Sequence, residues 1–229
     1  MKSAEEIATL LAVRRRALLI GGMAMILHGL NRTTRDVDLW LDPGMGPEEW
    51  AENVAQFLRD NPELRLTRIA VETNVTSAEI AGVIAEDRVV RLHGADRPID
   101  LFRIPHQLEE IDFEAAWTRS LPLETGKLRL IEEIDLIVSK QFTGRAHDES
   151  DIRFLEEKIE ESGRQKLRHC SEEEARRLFE RFTTPMLASF AAREAEQPKV
   201  RNLGLAVLQE LANEGDPFAE ELLEGIEQE

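Results

Sequence analysis

The heptapeptide Asp36–Asp42, "DVDLWLD", places Val37, Leu39 and Leu41 on one side of an extended chain and Asp36, Asp38 and Trp40 on the other. A period of two is a strand's, because successive side chains of a strand point to opposite faces. Such a strand must border a core on one side and a polar feature on the other. Upstream, the apolar run "ALLI" over Ala17–Ile20 reads as a short buried strand that ends at the doublet Gly21–Gly22. From Met23 to Leu30 the apolar residues are dense enough for a buried helix, which "NRTTR" breaks. Pro43, Gly44, Gly46 and Pro47 stop the aspartate strand.

The same patterns organise the rest of the chain. "SAEE" at Ser3–Glu6 has capping-box spacing and opens a helix that runs to about Arg15. "EEWAENVAQFLRD" reads as a helix, "LRLTRIAV", "DRVVRLHG" and "PIDLFRI" as strands, and "TSAEIAGVIAE" as a short helix. "LRLIEEIDLIVSKQF" carries Leu130, Ile134, Ile137, Val138 and Phe142 at helical spacing, with Gly144 as a stop. Further helices follow in "DESDIRFLEEKIEESG", "SEEEARRLFERF", "PMLASFAAREAE", "KVRNLGLAVLQELANEG" and "PFAEELLEGI". The predicted architecture is an α/β domain over residues 1–125 and a helical region over 126–229.

Charge and cysteine usage narrow the function. A net charge of −16 opposes tight nonspecific nucleic-acid binding, which needs clustered cations, so any such contact must be local. From Asn202 onward there is no Lys or Arg, whereas Arg14–Arg16 and Gly163–His169 are basic runs that suit solvated helix faces. Cys170 is the one cysteine, which rules out a disulfide framework and a multi-cysteine zinc site. No stretch approaches the length of a membrane span, and the N-terminal segment carries charges within its apolar stripe. The expectation is a soluble cytoplasmic protein, with the sequon at Asn74–Thr76 a coincidence.

The candidate chemistry gathers at the opening stretch. A double glycine between strand and helix allows close approach of a ligand, and a helix N-terminus favours a phosphate, although many such turns use glycine for packing alone. Asp36 and Asp38 share a face, and Asp100 in "PIDLFRI" opposes the core-facing Ile99 and Leu101. If those strands are neighbours, three carboxylates converge. Two like charges about 4 Å apart repel by roughly 4 kcal/mol at an effective dielectric of about 20. The cluster must therefore hold protons or a cation, and oxygen ligands select a hard ion, Mg²⁺ or Mn²⁺. Paired ions between aspartates suit phosphoryl or nucleotidyl transfer. Arg32 and Thr34 lie at the approach to the pair, with Arg32 or Arg35 available either to donor phosphates or to the carboxylates themselves. His28, on an apolar helix, suits a satisfied core histidine. Phosphate-loop, serine-elbow and zinc-protease motifs are absent.

"GGMAMILHGLNRTTRDVDLWLD" with "PIDLF" resembles the Gly-Gly/Ser, Asp-x-Asp and third-Asp pattern of the DNA polymerase β-like nucleotidyltransferase superfamily. The wording "HGLNRTTRDVDL" is closer to its small prokaryotic members and to the AbiEii-type toxins. The resemblance spans roughly residues 15 to 155. It implies a nucleotidyltransferase fold, a mixed twisted sheet flanked by helices, with an NTP donor and two Mg²⁺ ions. Gly21 and Gly22 would match the phosphate turn, Asp36 and Asp38 the metal pair, and Asp100 the carboxylate that helps activate the acceptor. "SKQFTGRAHDESDI" is similar to the Lys…Arg…Asp…Asp segment of AbiEii-like members, with His147 where that pattern carries a basic residue. Lys140 and Arg145 would then reach the triphosphate, and Asp148 would belong to the nucleotide site. A solvated Lys140 and a helix-capping Asp148 are the plain alternatives. The implied acceptor is a tRNA end, a protein hydroxyl or a small molecule. An antitoxin partner and a homo-oligomer are further expectations, and the rival to an enzyme is a module that binds a nucleotide or a protein without turnover.

Overall fold

The computed structural model of this chain describes residues 2–69, 73–75, 82, 84–123 and 127–228. The chain is mixed α/β and divides into two compact units, Met1–Ile152 and Arg153–Glu229.

The first unit opens with α1 (Ala4–Arg14), started by the capping box of Ser3 and Glu6 and burying Ile7, Ala8 and Leu11. β1 (Ala17–Ile20) is buried at every position, as a strand covered on both faces requires. It passes directly into α2 (Gly21–Leu27), so the helix starts at the glycine doublet itself rather than at Met23. After β2 (Val37–Leu41) come α3 (Pro47–Asp60), which buries Trp50, Val54 and Phe57, then β3 (Arg65–Arg68), β4 (Thr73–Val75), β5 (Val89–His93) and β6 (Ile99–Phe102). α4 (Asp112–Arg119), β7 (Leu121–Pro122), β8 (Leu128–Leu130) and α5 (Glu133–Lys140) follow, and the unit ends within α6 (Ala146–His169). The short helix expected in Thr76–Glu86 falls largely outside the described residues.

The strands form one mixed sheet in the order β4-β3-β5-β6-β2-β1-β8-β7. β2 runs antiparallel to β1 and parallel to β6, and β1 runs parallel to β8. Trp40 shares the face of Asp38, but its ring is fully buried edge-on against Phe113, centroids 5.2 Å apart, and its indole N–H donates to the Arg103 carbonyl at 3.0 Å. The face that carries the aspartates is thus open only at the start of β2 and becomes core farther along.

Two expectations need correction. The run Leu128–Phe142 is not one helix: Leu128 and Leu130 alternate inward on β8, hydrogen-bonded beside β1, and the helix begins only after Glu132 and ends at Lys140. The sheet edge offered by β1 outweighs local helical spacing here. In consequence the first compact unit extends to Ile152, so β8 and α5 belong with the sheet, not with a helical region starting at residue 126.

The second unit continues α6 from Arg153 and adds α7 (Glu172–Arg181), α8 (Pro185–Glu194), α9 (Pro198–Asn213) and α10 (Pro217–Glu227). Ser171, Thr184 and Asp216 cap three of these helices through their side chains, and proline occupies the first turn of α8, α9 and α10. Leu167, Phe179, Leu187, Ala188, Ala191, Val200 and Leu208 form its core. No helix among the described residues is long and apolar enough to cross a membrane.

Candidate metal centre

Sheet register builds the site. Arg91 on β5 stands opposite Asp100 on β6, Asp100 opposite Asp38 on β2, and Asp38 opposite Ile20 on β1. Neighbouring strands lie about 4.8 Å apart, so paired carboxylates in adjacent strands are forced together. Asp36, just before β2, completes the group: a carboxylate oxygen from each of Asp36, Asp38 and Asp100 lies within 4.8 Å of the others. The Thr34 hydroxyl donates to the Asp36 carboxylate at 3.2 Å and holds it toward its neighbours.

The glycine doublet fits against this row. Gly21 has φ +59, and a Cβ there would sit 2.0 Å from the Asp38 carboxylate. At Gly22 a Cβ would sit 2.5 Å from the Thr34 hydroxyl. Gly21 is therefore required by contact with Asp38, and Gly22 by contact with Thr34. The Gly22 N–H points at Asp38 Oδ2, 3.4 Å away.

Electrostatics follow from the crowding. Burial, then the charges of Asp36 and Asp100, push the Asp38 carboxyl up to about 7, while the Gly22 N–H and Lys140 pull the other way. Asp100 is buried and gripped in a fork by Arg91, Nε to Oδ1 at 2.6 Å and Nη2 to Oδ2 at 2.7 Å. Arg91 Nη2 also lies 3.7 Å from Asp36. The counter-cation of the cluster is thus Arg91, which the sequence reading did not single out, and neither Arg32 nor Arg35.

Arg32 turns instead to Asp151, its Nη1 lying 2.7 Å from both carboxylate oxygens. Lys140 is neither solvated nor free: it is 7% exposed and stands 2.8 Å from Asp148 and 2.8 Å from Asp151. Asp148 also accepts from Thr143 at 2.7 Å, so its carboxylate serves this network rather than a helix cap. Burial works to raise Asp148, but the bonds from Lys140 and Thr143 win and hold it below the usual carboxylate range. His28 is a core histidine, its Nε2 2.8 Å from the Ile131 carbonyl and Nδ1 3.2 Å from Glu133.

A cleft of about 560 Å³ brings the two groups to one surface. Gly21, Gly22, Arg32, Thr34, Asp36, Asp38, Asp100, Lys140, Arg145 and Asp148 all line it, with Arg145 exposed on its rim. Ile69, Val89, Phe102, Pro105 and Phe142 supply its apolar surface. Sequence reasoning missed Arg91, Thr143 and Phe142 as site residues, and it met Asp151 only as the last member of the Lys…Arg…Asp…Asp segment. The three-carboxylate donor set suits a hard divalent cation, and the raised Asp38 together with the Arg91 fork marks a place where positive charge is wanted.

No protein-family model matches the chain, and no curated protein is significantly similar to it.

Proposed function

We propose that the protein is a nucleotidyltransferase of the DNA polymerase β-like kind, which moves a nucleoside monophosphate from an NTP to a hydroxyl or phosphate of an acceptor. The observation that carries this reading is the in-register row of Asp38 and Asp100, joined by Asp36, beside a glycine turn in a cleft that also presents Arg32, Lys140 and Arg145. Asp36 and Asp38 would hold both of two Mg²⁺ (or Mn²⁺) ions and Asp100 would complete one of them. When bound, these ions neutralise the polyphosphate and lower the pKa of the attacking hydroxyl.

The chain's own groups do the rest. Gly21 and Gly22 let the backbone at the start of α2 pack close against Asp38 and Thr34, and Arg145 attracts the polyphosphate from the rim. Lys140 and Arg32 are aimed by their pairing with Asp148 and Asp151, which holds two flexible side chains at the cleft wall before substrate arrives. In the transfer, the acceptor oxygen bonds to the α-phosphorus, the bond to the β-phosphate oxygen breaks, and pyrophosphate leaves. The acceptor proton passes to Asp100 once its carboxylate has let go of Arg91.

The test is transfer of label from each α-³²P-labelled NTP, with Mg²⁺, to tRNA, protein and small-molecule acceptors. The wild type is expected to transfer from at least one NTP, and Asp36→Ala and Asp38→Ala to lose at least about 100-fold in rate. Equal transfer by wild type and variants refutes the reading. One observation favours a second reading, a module that holds a nucleotide or protein partner without turnover: the Arg91 fork occupies the carboxylate that would serve as base. Nucleotide binding without labelling of any acceptor or release of pyrophosphate would select it.

A further inference from the structure

Phe142 lies in the short connection between α5 and α6, the segment that also brings Thr143 and Arg145 to the cleft. Its ring lines the cleft yet is 85% exposed. Its backbone has φ +57, a left-handed conformation that a bulky L-residue disfavours and that glycine or asparagine ordinarily takes. A strained backbone and a wetted aromatic face thus coincide at one residue. The chain on either side is fixed: Gln141 N–H donates to the Ile137 carbonyl at 3.0 Å, and the Thr143 hydroxyl to Asp148 at 2.7 Å. Strained residues held in place by their surroundings cluster at functional sites, which makes Phe142 a candidate for one.

We propose that Phe142 is the stacking platform for the nucleobase of the donor nucleotide. The inference rests on the nucleotidyl-transfer reading and deepens it. With the polyphosphate drawn to Gly21, Gly22, Arg32, Lys140 and Arg145, the base must find an apolar π-face elsewhere in the same cleft. Phe102 is half-buried within β6, whereas nearly the whole Phe142 ring is free. Stacking on such a ring accepts any base, so Phe142 contributes affinity and positioning, and selection among bases falls to other groups.

The experiment is calorimetric titration of the full chain, in Mg²⁺, with a non-hydrolysable analogue of each NTP and with inorganic tripolyphosphate as a probe without a base. The wild type is expected to bind a nucleotide more tightly than tripolyphosphate. Phe142→Ala weakens the nucleotide by about 5- to 150-fold and leaves tripolyphosphate unchanged. Phe142→Trp restores nucleotide affinity, and its added emission is quenched by nucleotide but not by tripolyphosphate. Wild-type affinity for nucleotide in Phe142→Ala overturns the platform and leaves the transferase reading standing. Failure of the wild type to bind either probe overturns both.

Discussion

Replacing Asp38 with asparagine tests the electrostatics of the site in isolation from any acceptor. The metal-free protein holds the Asp38 carboxyl up at about 7, against 3.8 for the unperturbed group. Between those values the native state binds the proton that the unfolded chain has released, so stability falls as pH rises from about 4 and levels off above about 7. At about 1.4 kcal/mol per pH unit, the full loss is roughly 4 kcal/mol, and the part expressed between pH 5 and pH 8.5 is about 2–3 kcal/mol. Asparagine keeps an oxygen for the Gly22 N–H and cannot ionise, so Asp38→Asn lacks this slope. The assay is urea unfolding of both proteins at pH 5 and pH 8.5 in chelator. The variant should gain on the wild type by about 2 kcal/mol or more on going to the higher pH, since Asp38 is the one ionisable group that differs between them. Adding Mg²⁺ at pH 8.5 should return most of that difference to the wild type alone. A wild-type-to-variant difference that is the same at both pH values would show that Asp38 titrates like an ordinary carboxylate, and the crowding argument would fail.

Three further outcomes follow from single contacts. Arg91→Met removes the internal cation that competes for Asp100, so metal-free stability should fall while Mg²⁺ binds about tenfold tighter or more, worth about 1.4 kcal/mol, by calorimetric titration; unchanged affinity would separate Arg91 from the metal centre. Lys140→Met leaves buried Asp151 with Arg32 and buried Asp148 with Thr143 and His147, and should cost about 3 kcal/mol in urea unfolding, a loss below about 1 kcal/mol showing the network to be solvent-screened. Gly204→Ala in α9 would bring a Cβ to 2.6 Å from the Ala192 nitrogen and 2.7 Å from the Ala188 carbonyl oxygen, so despite alanine's higher helix propensity it should destabilise the second unit by about 1–3 kcal/mol; hydrogen exchange that slows in α8 and α9 would refute this.

What could be read in advance divides by the range of the interaction. A helix announced by a cap, such as that at Ser3, and strands marked by alternation or a short apolar run, such as β1 and β2, depend on a few adjacent residues, and these are found where expected. β8 was hidden because three residues merge with the helical spacing that follows, and only the edge of β1 decides their conformation. The convergence of Asp36, Asp38 and Asp100 was legible as a condition, that β2 and β6 be neighbours, and the sheet order meets it. Register was not legible. Nothing in "DRVVRLHG" says that Arg91 rather than Arg88 stands opposite Asp100. Likewise a helix-capping Asp148 was the plain reading of a local pattern, but the lysine that joins Asp148 to Asp151 comes from another helix, across a turn whose left-handed Phe142 ends the apolar pattern of Leu130–Phe142.

The charges of the cleft explain why this arrangement is stable without a ligand and still suited to a polyanion. Five carboxylates, Asp36, Asp38, Asp100, Asp148 and Asp151, stand with four cations, Arg32, Arg91, Lys140 and Arg145. With one proton on Asp38, as its raised pKa provides near neutral pH, the group is close to neutral. The buried part of it is also fully paired: Asp100 with Arg91, and Lys140 and Arg32 with Asp148 and Asp151. On the metal-dependent reading, a divalent cation at the three aspartates would displace that proton and compete with Arg91 for Asp100, and the cleft would change from neutral to net positive. Each further ion deepens the change, so affinity for a polyphosphate should rise steeply with Mg²⁺, and Mg²⁺ affinity should rise by the same factor when a polyphosphate is present, because the coupling is reciprocal. Titrating tripolyphosphate at a series of Mg²⁺ concentrations measures that factor directly. Polyphosphate affinity independent of Mg²⁺ would mean that the cations already present suffice and that the aspartates take no part in binding.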